Sequence, residues 1–138
     1  MIVTGEISFA SKGFCHAVNL TDEIAGRVHN SGIKSGIVTV FTPSATSGLT
    51  TIEFEPGLLK DLPDLFESIL PSNKPYHHDL TWHDGNGFSH MRSALIGPDI
   101  TIPFVKGQLT LGTWQNVVFL DFDNRHRQRK VIVQIMGE

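Results

Sequence analysis

Residues 99–136 read D-I-T-I-P-F-V-K-G-Q-L-T-L-G-T-W-Q-N-V-V-F-L-D-F-D-N-R-H-R-Q-R-K-V-I-V-Q-I-M, and their pattern decides the fold. Asp99 to Val105, Gln108 to Leu111, Asn116 to Asp123 and Lys130 to Met136 are runs of β-branched and aromatic residues, which suit a pleated, half-buried surface. Asp123-Asn124 is a turn signal between the last two runs. Pro103 points to an edge strand or a bulge, because it cannot donate to a ladder. Just upstream, Ser89 to Ile96 reads as a further strand, closed by the Gly97-Pro98 turn.

The N-terminal half adds helices to this β-rich half. Val3, Gly5, Ile7 and Phe9 alternate with Thr4, Glu6 and Ser8, the period of a half-buried strand. Thr21-Asp22-Glu23 reads as a helix start, a cap residue followed by acids in the first turn. Leu20, Ile24 and Val28 then share one face, and Gly32 and Gly36 bracket the exit. Ile37 to Thr42 is a buried strand, and Leu49 to Phe54 another. Leu58, Leu62, Leu65, Phe66 and Ile69 have helical spacing. Pro63 tolerates only a first-turn position, so the regular helix is expected from about Asp61, with Pro56 to Lys60 an irregular lead-in. The expected architecture is α+β, a mainly antiparallel sheet packed with two helices, in a single domain over 1–138.

The bulk composition fits one compact domain. The chain has 138 residues, 40% hydrophobic and 18% charged, with a formal net charge of -3. That balance argues against nucleic-acid binding, which normally shows a basic excess. Cys15 is the single cysteine, so no internal disulfide can form, and a cytoplasmic setting is expected. The N-terminus lacks the charged start and apolar run of a signal peptide, and no segment is long and apolar enough to suggest a membrane.

The chemistry concentrates between Tyr76 and His90, read Y-H-H-D-L-T-W-H-D-G-N-G-F-S-H, which holds four of the seven histidines. Imidazole and carboxylate together serve metal binding or proton transfer. His78 and His90 are the first candidate ligands of a divalent cation, with Asp84 or Asn86 near it. His83 is the spare ligand, because it abuts Asp84, and His77 is a bystander. Asp84-Gly85-Asn86-Gly87 also reads as an ordinary turn. Such a turn would itself bring His78 and His90 together.

Four other places carry weaker signals. In Gly112-Thr113-Trp114-Gln115, Thr113 and Gln115 could bind a polar substrate and Trp114 could stack on a heteroaromatic ring, although composition favours a Trp packed at a strand corner. Arg125, Arg127 and Arg129 alternate beside the Asp123-Asn124 turn, as a small anion site or a solvated hairpin end. Ser44 to Gly48 is rich in hydroxyls but lacks the Gly-Lys pair of a P-loop. Glu53, in an apolar strand, is expected to be half-buried and to need a partner.

In this order, Thr51–Leu58, Tyr76–Asp79, Asp84–His90, Leu95–Pro98, Gly112–Gln115 and the closing D-F-D-N-R-H-R-Q-R resemble the YjbQ-like family, small proteins associated with secondary thiamine-phosphate synthase activity. The resemblance spans nearly the whole chain. It implies a homotrimer with the site near subunit boundaries. It also implies that His78, Asp84, Asn86, His90, Thr113, Trp114 and Gln115 share one pocket, with Arg127 and Arg129 for phosphate. The implied cofactor is a divalent metal, zinc or magnesium. The implied reaction joins a hydroxymethylpyrimidine diphosphate to a thiazole phosphate. A metal-dependent hydrolase and a trimeric binding module are the alternatives. Two positions depart from the family pattern: many relatives carry His where this chain has Ser44, and some carry a second His where it has Phe88.

Overall fold

The computed structural model describes residues 1–138. In chain order they form β1 (Ile2–Ser11), β2 (His16–Asn19), α1 (Thr21–Ser31), β3 (Ser35–Phe41), β4 (Ser47–Ile52), α2 (Pro56–Ile69), α3 (His77–Trp82), α4 (Gly87–Ile96), β5 (Asp99–Val105), β6 (Gln108–Leu109), β7 (Asn116–Asp121) and β8 (Arg127–Gly137). The strands form a five-stranded sheet, β1-β8-β3-β5-β6, and a three-stranded sheet, β2-β7-β4. Every strand pair is antiparallel. No helix is long and apolar enough to cross a membrane.

Strand β7 organises the layers. Its run of apolar residues lacks alternation because both of its faces are covered. Val117 and Phe119 enter a fifteen-residue core with Ile24 and Val28 of α1 and with Val38, Val40, Val131, Val133 and Ile135 of the larger sheet. Val118 and Leu120 face the opposite way, into a second core with Phe122, Cys15 and Phe66 of α2. Aromatic pairs anchor both cores edge to face: Phe9 on Phe119 and Phe66 on Phe122, each with centroids 4.9 Å apart. The sequence thus stacks a large sheet, a small sheet and a helical layer.

Four helices form where two were expected. Ser89 to Ile96 is not a strand but most of α4, and the Tyr76–His90 stretch forms α3, a turn and the start of α4. The buried face of α4 is unusually polar. Phe88, Ser89, Arg92 and Ser93 face inward, while Met91 and Leu95 are exposed. Hydrogen bonds make this burial tolerable. Ser89 Oγ donates to Asn86 O at 2.6 Å and Ser93 Oγ to Ser47 O at 2.6 Å. Arg92 donates from Nε and Nη2 to Leu70 O at 3.1 and 2.9 Å, and from Nη2 to Glu67 at 2.9 Å. Its guanidinium carbon also sits 5.7 Å from the ring centroid of Phe66 in α2, pinning α4 to α2, and 4.9 Å from that of Phe88 one turn earlier on α4.

Helix α2 begins at Pro56 rather than near Asp61, with Pro63 inside it. The Glu55 carboxylate accounts for the earlier start, accepting from the N–H groups of Gly57 at 2.8 Å and Leu58 at 2.9 Å. These satisfy free donors of the first turn, so Pro63 forfeits only one bond further along. The same two donors hold the Glu55 carboxyl below its ordinary value of 4.5. A carboxyl lowered by folding stabilises the fold fully above that ordinary value, and the contribution is lost as pH falls through the folded value. Thermal melts followed by circular dichroism on acidification from about pH 6 to about pH 3 are therefore expected to show a smaller loss of stability in Glu55→Gln than in the wild type.

The remaining differences concern strand ends. Strand β4 covers Ser47–Ile52 rather than Leu49 to Phe54, and β6 keeps only two residues. Pro103 lies just beyond the register of β6, which pairs only with Phe104 and Val105; its carbonyl still accepts from the Thr110 N–H at 3.0 Å, but it has no N–H to return and the ladder stops there. Strand β2 was not foreseen. Strand β7 ends at Asp121, and β8 starts early, at Arg127, bringing the C-terminal arginines into the sheet.

Candidate functional site

Asp79 joins the two helices that carry the histidines. Its Oδ2 accepts from the Tyr76 N–H at 3.1 Å, closing the N-terminus of α3, and its Oδ1 accepts from the Gly87 N–H at 3.0 Å, at the start of α4. The Gly87 bond, followed by that from Tyr76, holds the Asp79 carboxyl below the usual carboxylate range. Gly87 must be glycine for a different reason. A Cβ there would lie 2.6 Å from Tyr76 Cβ. Gly85, by contrast, supplies a left-handed φ of 67° to the connecting turn.

This clamp brings His78 of α3 and His90 of α4 together, their ring centroids 4.3 Å apart. His78 Nδ1 lies 3.7 Å from Asp84 Oδ1 and 3.9 Å from Asp79 Oδ1. That nitrogen is buried and has no hydrogen-bond partner. An orphaned buried polar atom costs about 1–3 kcal/mol, so its environment is built for something else. Ligand atoms of His78, Asp79 and Asp84 all fall within 4.8 Å of one another. Burial and the neighbouring His78 push His90 below its ordinary value, despite the opposing pull of Asp123 and Asp84.

Asn86 adds a second anomaly. Its amide sits between two carboxylates: Nδ2 donates to Asp123 Oδ1 at 3.3 Å, leaving the amide oxygen toward Asp84. Turned over, the nitrogen would donate to the two Asp84 oxygens at 2.9 and 3.2 Å. That turned-over orientation satisfies both atoms of the amide, whereas the first leaves the Asp84 carboxylate facing an oxygen. The first orientation would be the one that suits a cation beside Asp84, with the amide oxygen, the carboxylate and His78 Nδ1 turned to it. One imidazole with oxygen donors suits zinc, and the oxygen-rich remainder suits magnesium. The donor set thus fits the expected divalent ion.

Behind this cluster, two buried carboxylates hold the C-terminal arginines. Arg129 donates from Nε to Asp121 Oδ2 at 2.7 Å and from Nη2 to Oδ1 at 2.9 Å. It also donates to Ser44 Oγ and Thr46 Oγ1, each at 2.8 Å. The hydroxyl-rich loop and Arg129 are therefore engaged with each other. Arg127 reaches Asp123 Oδ2 from Nε at 3.0 Å and from Nη2 at 2.7 Å. Burial alone would raise Asp123, yet donors from the Asn124 N–H, Asn86 and Arg127 hold it below the usual range. Asn124 Nδ2 donates in turn to Asp84 O at 2.9 Å, so the 123–124 turn braces both Asn86 and Asp84.

His78, Asp84, Asn86 and His90 are thus brought together as expected. Asp79, which the sequence reading did not select, joins them, and the signal available was its position three residues after Tyr76, a helix-capping offset. His83 is exposed and ends α3 in a left-handed conformation, away from the ligand group. Glu53 is exposed rather than half-buried, because β4 ends at Ile52. Trp114 is not packed at a strand corner; it is 70% exposed. Gln115 Oε1 accepts from the Gly112 N–H at 2.8 Å, shaping that loop, with Thr113 beside it. Within one chain the loop lies at the opposite end of β7 from Asp123, about 20 Å away at the rise of a strand. Cys15 is buried, and burial pushes its thiol up to about 11, consistent with a structural role.

Comparison with known proteins gives one consistent result. The family described as UPF0047 protein YjbQ-like matches residues 5–138. A UPF0047 protein of Archaeoglobus fulgidus is 37% identical over 119 residues, 86% of this chain and 90% of its own length. One from Methanothermobacter thermautotrophicus is 31% identical over 137 residues, 99% of this chain and 94% of its own. Among solved structures, a protein of unknown function from Sulfolobus solfataricus P2 superposes with a TM-score of 0.90 at 26% identity, covering 100% of both chains. A hypothetical protein from Aeropyrum pernix K1 gives 0.91 at 28% identity, covering 99% of both.

Proposed function

The chain belongs to the YjbQ-like family, and from that premise we propose that it is a metal-assisted enzyme acting on a small phosphorylated substrate, with a thiamine-phosphate synthase-type transfer as its reaction. The observation that carries this reading is the buried, unpartnered His78 Nδ1 facing Asp84 beside a second histidine. Such a nitrogen stabilises nothing in the fold, which is the usual mark of a functional group. His78, Asp84 and Asn86 would hold a zinc or magnesium ion, with Asp79 fixing the two helices around it. When bound, the ion would supply charge for a departing diphosphate.

The chain's own groups divide the remaining work. His90, held toward its neutral form by burial and by His78, can accept a proton in the pocket. Asp123 orients the Asn86 amide from behind. Trp114 is exposed and distant from the cluster of its own chain. That supports the proposal of a homotrimer in which one subunit's Trp114, Thr113 and Gln115 serve another subunit's histidines.

A second reading, hydrolysis of the phosphorylated substrate by a metal-activated water, is favoured by the same remoteness of Trp114. A hydrolase uses the metal-activated water as its acceptor and so needs less of a platform for stacking the pyrimidine in register with a second ring. One assay separates the two. Purified protein with magnesium or zinc is given hydroxymethylpyrimidine diphosphate, with and without thiazole phosphate, and thiamine phosphate and released diphosphate are both quantified. The transferase reading expects thiamine phosphate, with diphosphate release dependent on the acceptor. Release without acceptor would favour the hydrolase. No turnover in either arm would remove the enzymatic reading and leave a binding protein.

A further inference from the structure

A second site lies where the β1–β2 turn locks onto the turn before β8. Gly13, Phe14 and Cys15 take left-handed φ values of 73°, 53° and 66° in succession. For a bulky aromatic such as Phe14 this is strained, and strain of this kind gathers at functional sites. Main-chain bonds enforce it: the Phe14 N–H donates to Asp123 O at 2.8 Å and the Cys15 N–H to Asp121 O at 2.7 Å. Gly13 admits no side chain, since a Cβ would lie 2.6 Å from Arg125 O and 2.7 Å from Asp123 O.

The lock frames an open cavity of about 450 Å³ lined by Ala10, Ser11, Lys12, His16, His126, Arg127 and Gln128. No carboxylate lines it. The Lys12 N–H donates to His16 Nδ1 at 3.0 Å, so a neutral His16 carries its proton on Nε2 as a donor. Arg127 spends Nε and Nη2 on Asp123, leaving Nη1 free. Burial and then the nearby Lys12 push His16 down, with His126 adding to the effect and Asp121 opposing it. The cavity wall thus carries Lys12 and the free edge of Arg127 beside two imidazoles and no carboxylate, an arrangement that suits an anion.

We propose that this cavity binds a phosphate-bearing anion, held by Lys12, His16, His126, Gln128 and the free edge of Arg127. Several N–H donors on one cavity wall suit a phosphate's oxygens, and the volume is that of a small-molecule pocket. The site deepens the proposed function by giving the substrate's phosphate end a place, and rests on that reading only for the rest of the substrate. Arg127, Asp123 and Asn86 connect it directly to the histidine cluster.

Metal-stripped protein would be titrated calorimetrically with inorganic phosphate and with pyrophosphate. The wild type is compared with Lys12→Ala and His126→Ala, both exposed positions, and with His78→Ala, with melts confirming that each variant folds. Saturable binding at one site per chain is expected, weakened about tenfold or more in Lys12→Ala and His126→Ala and unchanged in His78→Ala. Absence of saturable binding, or equal binding by Lys12→Ala, His126→Ala and the wild type, would overturn the inference. Neither result bears on whether His78 holds a metal.

Discussion

Asp121→Ala is expected to destabilise the fold by about 3–5 kcal/mol, the cost of leaving a buried charge without its partner. Asp121 is fully buried, and Arg129 is only 11% exposed. Arg129 meets both carboxylate oxygens at 2.7 and 2.9 Å, so its loss of Asp121 cannot be repaired by solvent. Asp121 Oδ1 also accepts from the Asp123 N–H at 3.1 Å, and so shapes the turn behind the site. Urea unfolding measures the effect. The double variant Asp121→Leu/Arg129→Met is expected to recover most of the loss, because it removes both charges. A loss in the double variant as large as that in Asp121→Ala would assign the effect to packing instead.

His78→Ala is expected to behave in the opposite way. Turnover in the transferase or hydrolase assay should fall by about 10²–10⁴-fold, the usual contribution of a positioned acid–base or ligand group. Stability of the metal-free protein should be unchanged or slightly higher. The substitution deletes an unpartnered buried nitrogen, and the helices around it are held by Asp79, Ser89, Arg92 and Ser93 rather than by His78. A functional group that the fold does not need is recognised by this combination, and steady-state kinetics beside thermal melts reads both halves. A large drop in melting temperature would mark His78 as structural.

How much of this was legible in the sequence depended on what each residue faces. The β7 run and the alternation of β1 are burial patterns written directly in hydrophobicity, so the antiparallel sheet could be read from them. Helix α4 could not, because its apolar Met91 and Leu95 point outward while Arg92, Ser89 and Ser93 are buried. Periodicity assumes that apolar residues go inward, and here hydrogen bonds reverse the rule. The early start of α2 rests on a Glu cap, a weaker signal than the Pro63 that argued against it. His78, Asp84, Asn86 and His90 were singled out because glycine, imidazole and carboxylate crowd one stretch, and the fold brings them together. Asp79 was passed over because its role is set by Gly87, eight residues away, and Glu53 was misjudged because a strand end two residues off changes exposure. The pairing of Arg129 with Asp121 and Ser44 depends on β8 starting at Arg127, which no local pattern announces.

The central claim is that His78, Asp84 and Asn86 form a divalent-cation site. The most direct test is elemental analysis of purified protein, equilibrated with zinc or magnesium and then desalted, for the wild type and His78→Ala. One ion per chain in the wild type and none in His78→Ala is the expected result. No retained ion in the wild type, or the same content in both proteins, would contradict it.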